Sequence, residues 1–220
     1  MKKLSMLIVL LLLFVKAAHS QTQKGDQSLG LSLAFYSNSG NYNYQNQTPI
    51  SYGETNSTSF VTNPTYSYFI ADKLDIGASV GFGTQTSTQN DQSVDELTKN
   101  ITKSYNSSIY LRKYFLVNNK IGIRTGPYLL YQYTNSNVTY VPASSNFANY
   151  DVTTRNLQAG INADFVYYPS KKVGLAVNLG SLSYNHQQYG TPPQNNTDSG
   201  VSLQFLTSNL MLSAFYVFGN

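Results

Sequence analysis

The chain has 220 residues, with 14 Lys and Arg against 10 Asp and Glu, a formal net charge of +4, and charged residues at only 11% of the whole. Cysteine is absent, which excludes disulfides, thiol chemistry and thiolate metal sites. Tyr and Phe number 19 and 11, too aromatic a composition for a disordered secreted chain.

The N-terminus carries Lys2 and Lys3, an uninterrupted apolar run from Met6 to Val15, and the small residues Ala17, Ala18 and Ser20 before Gln21. A positive start, a short apolar middle and small residues at a cleavage point make a secretory signal peptide, expected over 1–20. The run is too short for a spanning helix. The domain expected over 21–220 is within the range of one all-β unit. Without Lys2, Lys3 and Lys16 the basic count drops from 14 to 11 against 10 acids. The electrostatic case for nucleic-acid binding goes with them.

In the domain, Leu29, Leu31, Leu33 and Phe35 alternate with Gly30, Ser32 and Ala34 and predict a first strand. Ser37 to Ser57, rich in Asn, Gln, Ser and Tyr with Gly40, Pro49 and Gly53, reads as a long exposed loop. A second strand is expected from Ser59 to Ile70, with Phe60, Tyr66, Tyr68 and Ile70 on one face and Thr65 and Ser67 on the other. After the short Ala71-Asp72-Lys73 turn, Leu74, Ile76, Ala78, Val80 and Phe82 alternate with Asp75, Gly77, Ser79, Gly81 and Gly83 in a third. Thr84 to Asn100 is a second polar loop, with a helical turn expected over Ser93 to Lys99.

The fourth strand, Ile101 to Phe115, sets Ile109 and Leu111 against Ser108, Tyr110 and Arg112. The turn Val117-Asn118-Asn119-Lys120 leads to a fifth, with Ile121, Ile123, Pro127, Leu129, Tyr131 and Tyr133 on one side and Gly122, Arg124, Gly126, Tyr128 and Gln132 on the other. Pro127 removes one ladder donor, a feature of bulges and edges. A third loop spans Asn135 to Asp151. The alternation is cleanest from Asn156 to Tyr168, where every odd residue from Leu157 to Tyr167 is apolar and the even ones from Asn156 to Asp164 are polar or tiny. A Pro-Ser-Lys-Lys turn precedes the seventh strand, in which Val173, Leu175, Val177 and Leu179 alternate with Gly174, Ala176, Asn178 and Gly180. Tyr184 to Gly200 is the fourth loop, and the last strand aligns Leu210, Leu212, Ala214, Tyr216 and Phe218.

Eight strands joined by alternating short turns and long loops are the pattern of an antiparallel up-and-down transmembrane β-barrel. Hydrocarbon offers the backbone no partners, so a sheet persists there only by closing on itself, with its apolar face outward. Were the apolar face inward, the chain would be a soluble lipocalin-like binding barrel; the inward glycines favour the membrane arrangement, since an eight-stranded lumen is cramped.

The segments YLRKYFL (Tyr110 to Leu116), GINADFVYY (Gly160 to Tyr168), LGSLSY (Leu179 to Tyr184) and the aromatic end Ala214-Phe215-Tyr216-Val217-Phe218 resemble the eight-stranded outer-membrane barrel families of Bacteroidetes, often labelled porin-family proteins. The resemblance covers the whole domain and rests on side-chain character, not on a chemical signature. It implies a cell outer-membrane location in a Gram-negative envelope. Its partners would be outer-membrane lipid, lipopolysaccharide and the barrel-assembly machinery. Phe218 would be the residue that machinery reads, although Gly219 and Asn220 follow it.

Arg112, Arg124 and Asp164 fall at inward positions near the short-turn end and predict an ion-paired lumen cluster, since unpaired charges there would be costly. Such a cluster is either a plug or a gate, and a plug fits eight strands better. Tyr66, Tyr68, Tyr131, Tyr133, Tyr167 and Tyr216 are assigned to two aromatic girdles. Lys73, Lys113, Lys120, Lys171 and Lys172 gather near the short turns, where they would meet phospholipid headgroups or simply solvate the turns.

His186, with Ser183 and Asp198, holds the parts of a nucleophilic site, but no local signature supports catalysis. The loop acids Glu54, Asp91, Asp95, Glu96, Asp151 and Asp198 are scattered, so no metal site is expected, nor any cofactor. Gly77, Gly81 and Gly83 lack the helix start and lysine of a phosphate loop. Asn-x-Ser/Thr matches at Asn46, Asn56 and Asn137 carry little weight. The expectation is a monomeric, non-enzymatic barrel with a structural or surface-interaction role through its loops. The alternative is a narrow porin or a conduit for small hydrophobic molecules, which a lateral opening in the wall, as at Pro127, would favour.

Overall fold

The computed structural model describes residues 22–44, 51–91, 96–141, 149–191, 194–205 and 211–219. The signal segment 1–20 lies outside them, as do Asp95 and Leu210. The described residues form β1 (Gln27–Tyr44), β2 (Ser51–Ala71), β3 (Leu74–Asp91), β4 (Glu96–Val117), β5 (Ile121–Val141), β6 (Tyr150–Tyr167), β7 (Val173–Thr191), β8 (Gln194–Phe205) and β9 (Leu212–Phe218). Successive strands from β1 to β7 pair antiparallel, and β9 joins β7 to β1, which closes the sheet.

The eighth position around the wall is filled by two segments. The inner part of β7 pairs with β9, from Val173↔Tyr216 to Val177↔Leu212. Its outer part pairs with β8, from Gly180↔Phe205 to Thr191↔Gln194. Among the described residues β1 pairs with β9 only as far as Leu33↔Leu212, and β8 pairs with β7 alone. The outer flank of β1 thus faces β8 without a ladder between them.

The four long loops expected from composition are for the most part strands. Asn and Ser up to Tyr44 belong to β1, Ser51 onward to β2, and Tyr184 to Gly200 is shared between β7 and β8. The helical turn expected over Ser93 to Lys99 is likewise absent where it is described, because Glu96 to Lys99 open β4. A ladder needs only backbone groups, and Thr and Tyr favour strands. Once both faces of a hairpin are wet, the apolar alternation vanishes while the pairing continues.

Burial shows which face is inside. On β1 Leu29, Leu31, Leu33 and Phe35 are exposed, whereas Ser28 and Ser32 are buried. On β6 Leu157, Ile161 and Phe165 point out and Asp164 and Val166 point in. The chain is inside-out relative to a soluble barrel, and the lipocalin-like alternative does not describe it. One bulge changes the phase: Ala163 pairs with Gly180 but Asp164 with Asn178, so Leu179 has no opposite residue. Beyond it Leu182 and Tyr184 are outward and Ser183 inward, the reverse of the parity that opens β7.

The turn after β4 has Asn118 and Asn119 at φ 50 and 54, with the Lys120 N–H donating to the Val117 carbonyl at 3.0 Å. Two successive left-handed residues make a turn whose twist matches that of the flanking strands, and Asn tolerates that region better than most side chains.

Candidate functional site

The interior has two layers near the short turns. The lower is a hydrophobic cluster of Phe69, Tyr114, Val166, Tyr168, Phe215 and Val217, with Leu116 packed against it. Phe69 and Tyr114 rings lie 5.5 Å apart, and Tyr168 meets Phe215 edge-on at 5.5 Å. The residues expected inward were small, polar or charged, and at this end the structure adds an apolar layer to them. An end that short turns seal from water can hold an ordinary apolar core, because nothing there needs to stay hydrated.

Upon that layer lie two ion pairs. Arg112 donates to both oxygens of Asp75, at 3.1 Å through Nε and 2.6 Å through the terminal nitrogen. The Tyr114 hydroxyl donates to the same carboxylate at 3.0 Å. Arg124 Nε donates to Asp164 at 2.8 Å, and Asn178 Nδ2 donates to the other Asp164 oxygen at 2.9 Å. All four charged side chains are nearly or fully buried. Each charge meets its partner across one strand pair: Asp75↔Arg112 and Arg124↔Asp164 are directly opposite. The forked contact of Arg112 with its carboxylate is the stronger geometry.

Tyr110 completes the floor. Its cross-strand partner is Gly77, and a Cβ there would run into the Tyr110 ring. The ring therefore lies flat across the glycine, with the Arg112 guanidinium 3.9 Å from its centre. That stacking holds the guanidinium plane in place for its bidentate contact.

Above the floor is a polar cavity of about 470 Å³, lined among others by Asn63, Asn106, Tyr128, Gln132, Gln158 and Asn162. Its walls are cross-linked by Gln158 Nε2 donating to Tyr128 at 2.7 Å and to Ser183 at 2.9 Å, and by Asn106 Nδ2 donating to Asn63 at 3.2 Å. At the short-turn end this interior rests on the buried cluster of Phe69, Tyr114, Tyr168 and Phe215.

No family model matches this chain, and no curated protein matches it either. Among solved structures it is similar to the attachment invasion locus protein Ail of Yersinia pestis, at 14% identity over 89% of this chain and 100% of that one, with a TM-score of 0.45. It is similar to outer membrane protein OprG of Pseudomonas aeruginosa, at 13% identity, 92% and 100% coverage, and a TM-score of 0.47. A third is the transport unit of the autotransporter AIDA-I of Escherichia coli, at 10% identity, 94% coverage of both chains, and a TM-score of 0.47.

The structure places Arg124 and Asp164 together as an ion pair, while Arg112 finds its partner in Asp75. Asp75 and Tyr114 were not singled out from the sequence. The signal for both was present in strand parity: Asp75 shares a face with Gly77, and Tyr114 one with Arg112. Tyr66, Tyr68, Tyr131 and Tyr167 are exposed on the outer wall, and Tyr133 and Tyr216 are half-buried there. Tyr167 sits opposite Ile121 at the turn end of β5, and Tyr131 ten residues further along that strand. Ten rises of about 3.3 Å tilted by about 40° stand roughly 25 Å tall, the height of the apolar band of a membrane barrel.

Phe218 ends β9 opposite Gln27, its ring stacked 6.4 Å from Tyr216. Pro127 does not open the wall. The β4 ladder runs from Tyr110↔Tyr128 to Lys113↔Thr125 in one register across the proline, and Pro127 pairs with Ile161 on its other side. The β4 pairing lapses at Gly126 and Pro127 and resumes in the same register on either side.

His186 Nδ1 lies 2.8 Å from the Ser199 hydroxyl, not from Ser183, whose Oγ accepts from Gln158 inside the lumen. The Asp198 carboxylate accepts from the Ser199 N–H. Among the described residues no three His, Asp or Glu side chains group as metal ligands.

Proposed function

We propose that the chain is an outer-membrane barrel whose role is structural and surface-interactive: a plugged anchor that raises paired hairpins above the membrane. The observation that carries this is length. β4 has 22 residues and β2 and β5 have 21 each, where a tilted membrane-spanning strand needs about 10. Roughly half of each strand then stands outside the apolar belt, rich in Asn, Thr, Ser and Tyr, with both faces wet. Tyrosines and amides on such a surface suit weak, adaptable binding. The aromatic girdles would sit at the two interfaces, and the lumen would stay closed by its paired charges. No enzymatic step enters this reading.

With this role go export by the segment 1–20, assembly through Phe218, lipid and lipopolysaccharide as surroundings, a single copy as the working unit, and kinship with the Bacteroidetes porin-family barrels. The last rests on the sequence resemblance. Mature protein isolated from the host should begin at Gln21.

A narrow conduit is the second reading, favoured by the flank between β1 and β8, beside the cavity, where no ladder joins the described residues. The test is to add protease to intact cells and then compare boiled and unboiled mobility of what remains. Cleavage confined to the outer hairpins, with a resistant, heat-modifiable belt, is the expected result. A fully protected or wholly degraded chain would overturn the surface reading.

A further inference from the structure

The outer wall carries an apolar groove near the short turns. Leu29, Leu31, Val173, Ala214 and Tyr216 surround a cavity of about 370 Å³, over the backbone of Gly30 and Phe215. It exists because Ala214 is short: its partners across the two flanking ladders are Leu31 and Leu175. At the turn end, Lys172 Nζ lies 6.0 Å from the centre of the Tyr216 ring, and Lys171 beside it is exposed. Neither lysine has a carboxylate partner among the described residues. Apolar surface alone would accept any lipid tail, but an apolar slot ending in unpaired cations selects for a tail joined to an anion.

We infer that this groove seats an acyl chain of an anionic phospholipid from the inner leaflet, with Lys172 holding the headgroup phosphate. The inference rests on the membrane reading above. A cation near an anionic lipid surface is worth about fivefold in relative affinity.

Because the chain has no Trp, a single introduced one is a clean reporter. Leu175→Trp places it beside the groove, and Ile109→Trp on the remote wall of β4 is the control. Both full-domain barrels are reconstituted with brominated phosphatidylglycerol or brominated phosphatidylcholine, and folding of each variant is checked by heat-modifiable mobility. The expected result is a preference for phosphatidylglycerol at Leu175→Trp about fivefold above that at Ile109→Trp. It should fall to the control value in Lys172→Gln or Ala214→Leu, and persist in Lys172→Arg. Equal quenching by the two lipids at both reporters, or a preference unmoved by Lys172→Gln, overturns the groove while leaving the barrel in its bilayer. No quenching at either reporter overturns the membrane reading itself.

Discussion

Replacing Asp75 by Ala separates a plug from a gate. The variant leaves the Arg112 guanidinium buried, stripped of a forked contact at 2.6 and 3.1 Å, and leaves the Tyr114 hydroxyl without its acceptor. Breaking a buried pair by removing one partner costs about 3–5 kcal/mol, most of it the uncompensated charge. With a urea m-value of about 2 kcal/mol/M, the unfolding midpoint should fall by about 1.5–2.5 M. The assay is urea unfolding of the detergent-refolded domain, followed by the unboiled gel band. The double replacement of Asp75 by Leu and Arg112 by Met removes both charges and should recover to within about 1.5 kcal/mol of the parent, because no ion is then stranded. Planar-bilayer recordings of the single variant should stay silent, since the Phe69, Tyr168 and Phe215 layer still closes the end below the charges. A midpoint unchanged by Asp75→Ala, or a double variant as unstable as the single, would refute the buried-pair reasoning. Steady conductance from the single variant would make the pair a gate.

The apolar layer itself is tested by Phe69→Ala, which should cost about 3–5 kcal/mol in the same urea assay because the ring is fully buried. Gly126→Ala should destabilise by about 1–3 kcal/mol, since a Cβ there would run into the Leu111 carbonyl and the ladder beside Pro127 has no slack to move. His186→Ala should shift the midpoint by no more than about 0.5 kcal/mol equivalent, because its contact with Ser199 is at the surface.

Two-fold alternation was enough to read the wall. A strand such as β6 puts Leu157, Ile161 and Phe165 on one face and Asn156, Gln158 and Asp164 on the other, and no tertiary contact is needed to see that the two faces want different surroundings. Alternation was also enough to place Arg112, Arg124 and Asp164 in the lumen near the short turns. It failed where the physics that makes it stops operating. In the outer hairpins water wets both faces, so Ser51 to Ser57 of β2 read as a loop although every one of them is paired. At the bulge opposite Ala163 and Asp164 one extra residue inverts the parity, and its mark in β7, the apolar positions switching from odd at Leu179 to even at Leu182 and Tyr184, was not read.

What the sequence determined by itself was the division of each strand into an apolar and a polar face and the positions of the short turns, because these depend only on each residue and its near neighbours. Tertiary structure decided the rest. Register chose Asp75 for Arg112, closure brought Phe69, Tyr114, Val166 and Phe215 from four strands, with Tyr168 just past the end of β6, into one apolar layer, and the curvature of the wall set Ala214 into a groove beside Lys172. Such contacts join residues far apart in the chain, as in the Ser32 to Ser213 hydroxyl pair, 181 positions apart, that helps close the ring. No local pattern reports a pairing whose partner is set by where a sheet meets itself.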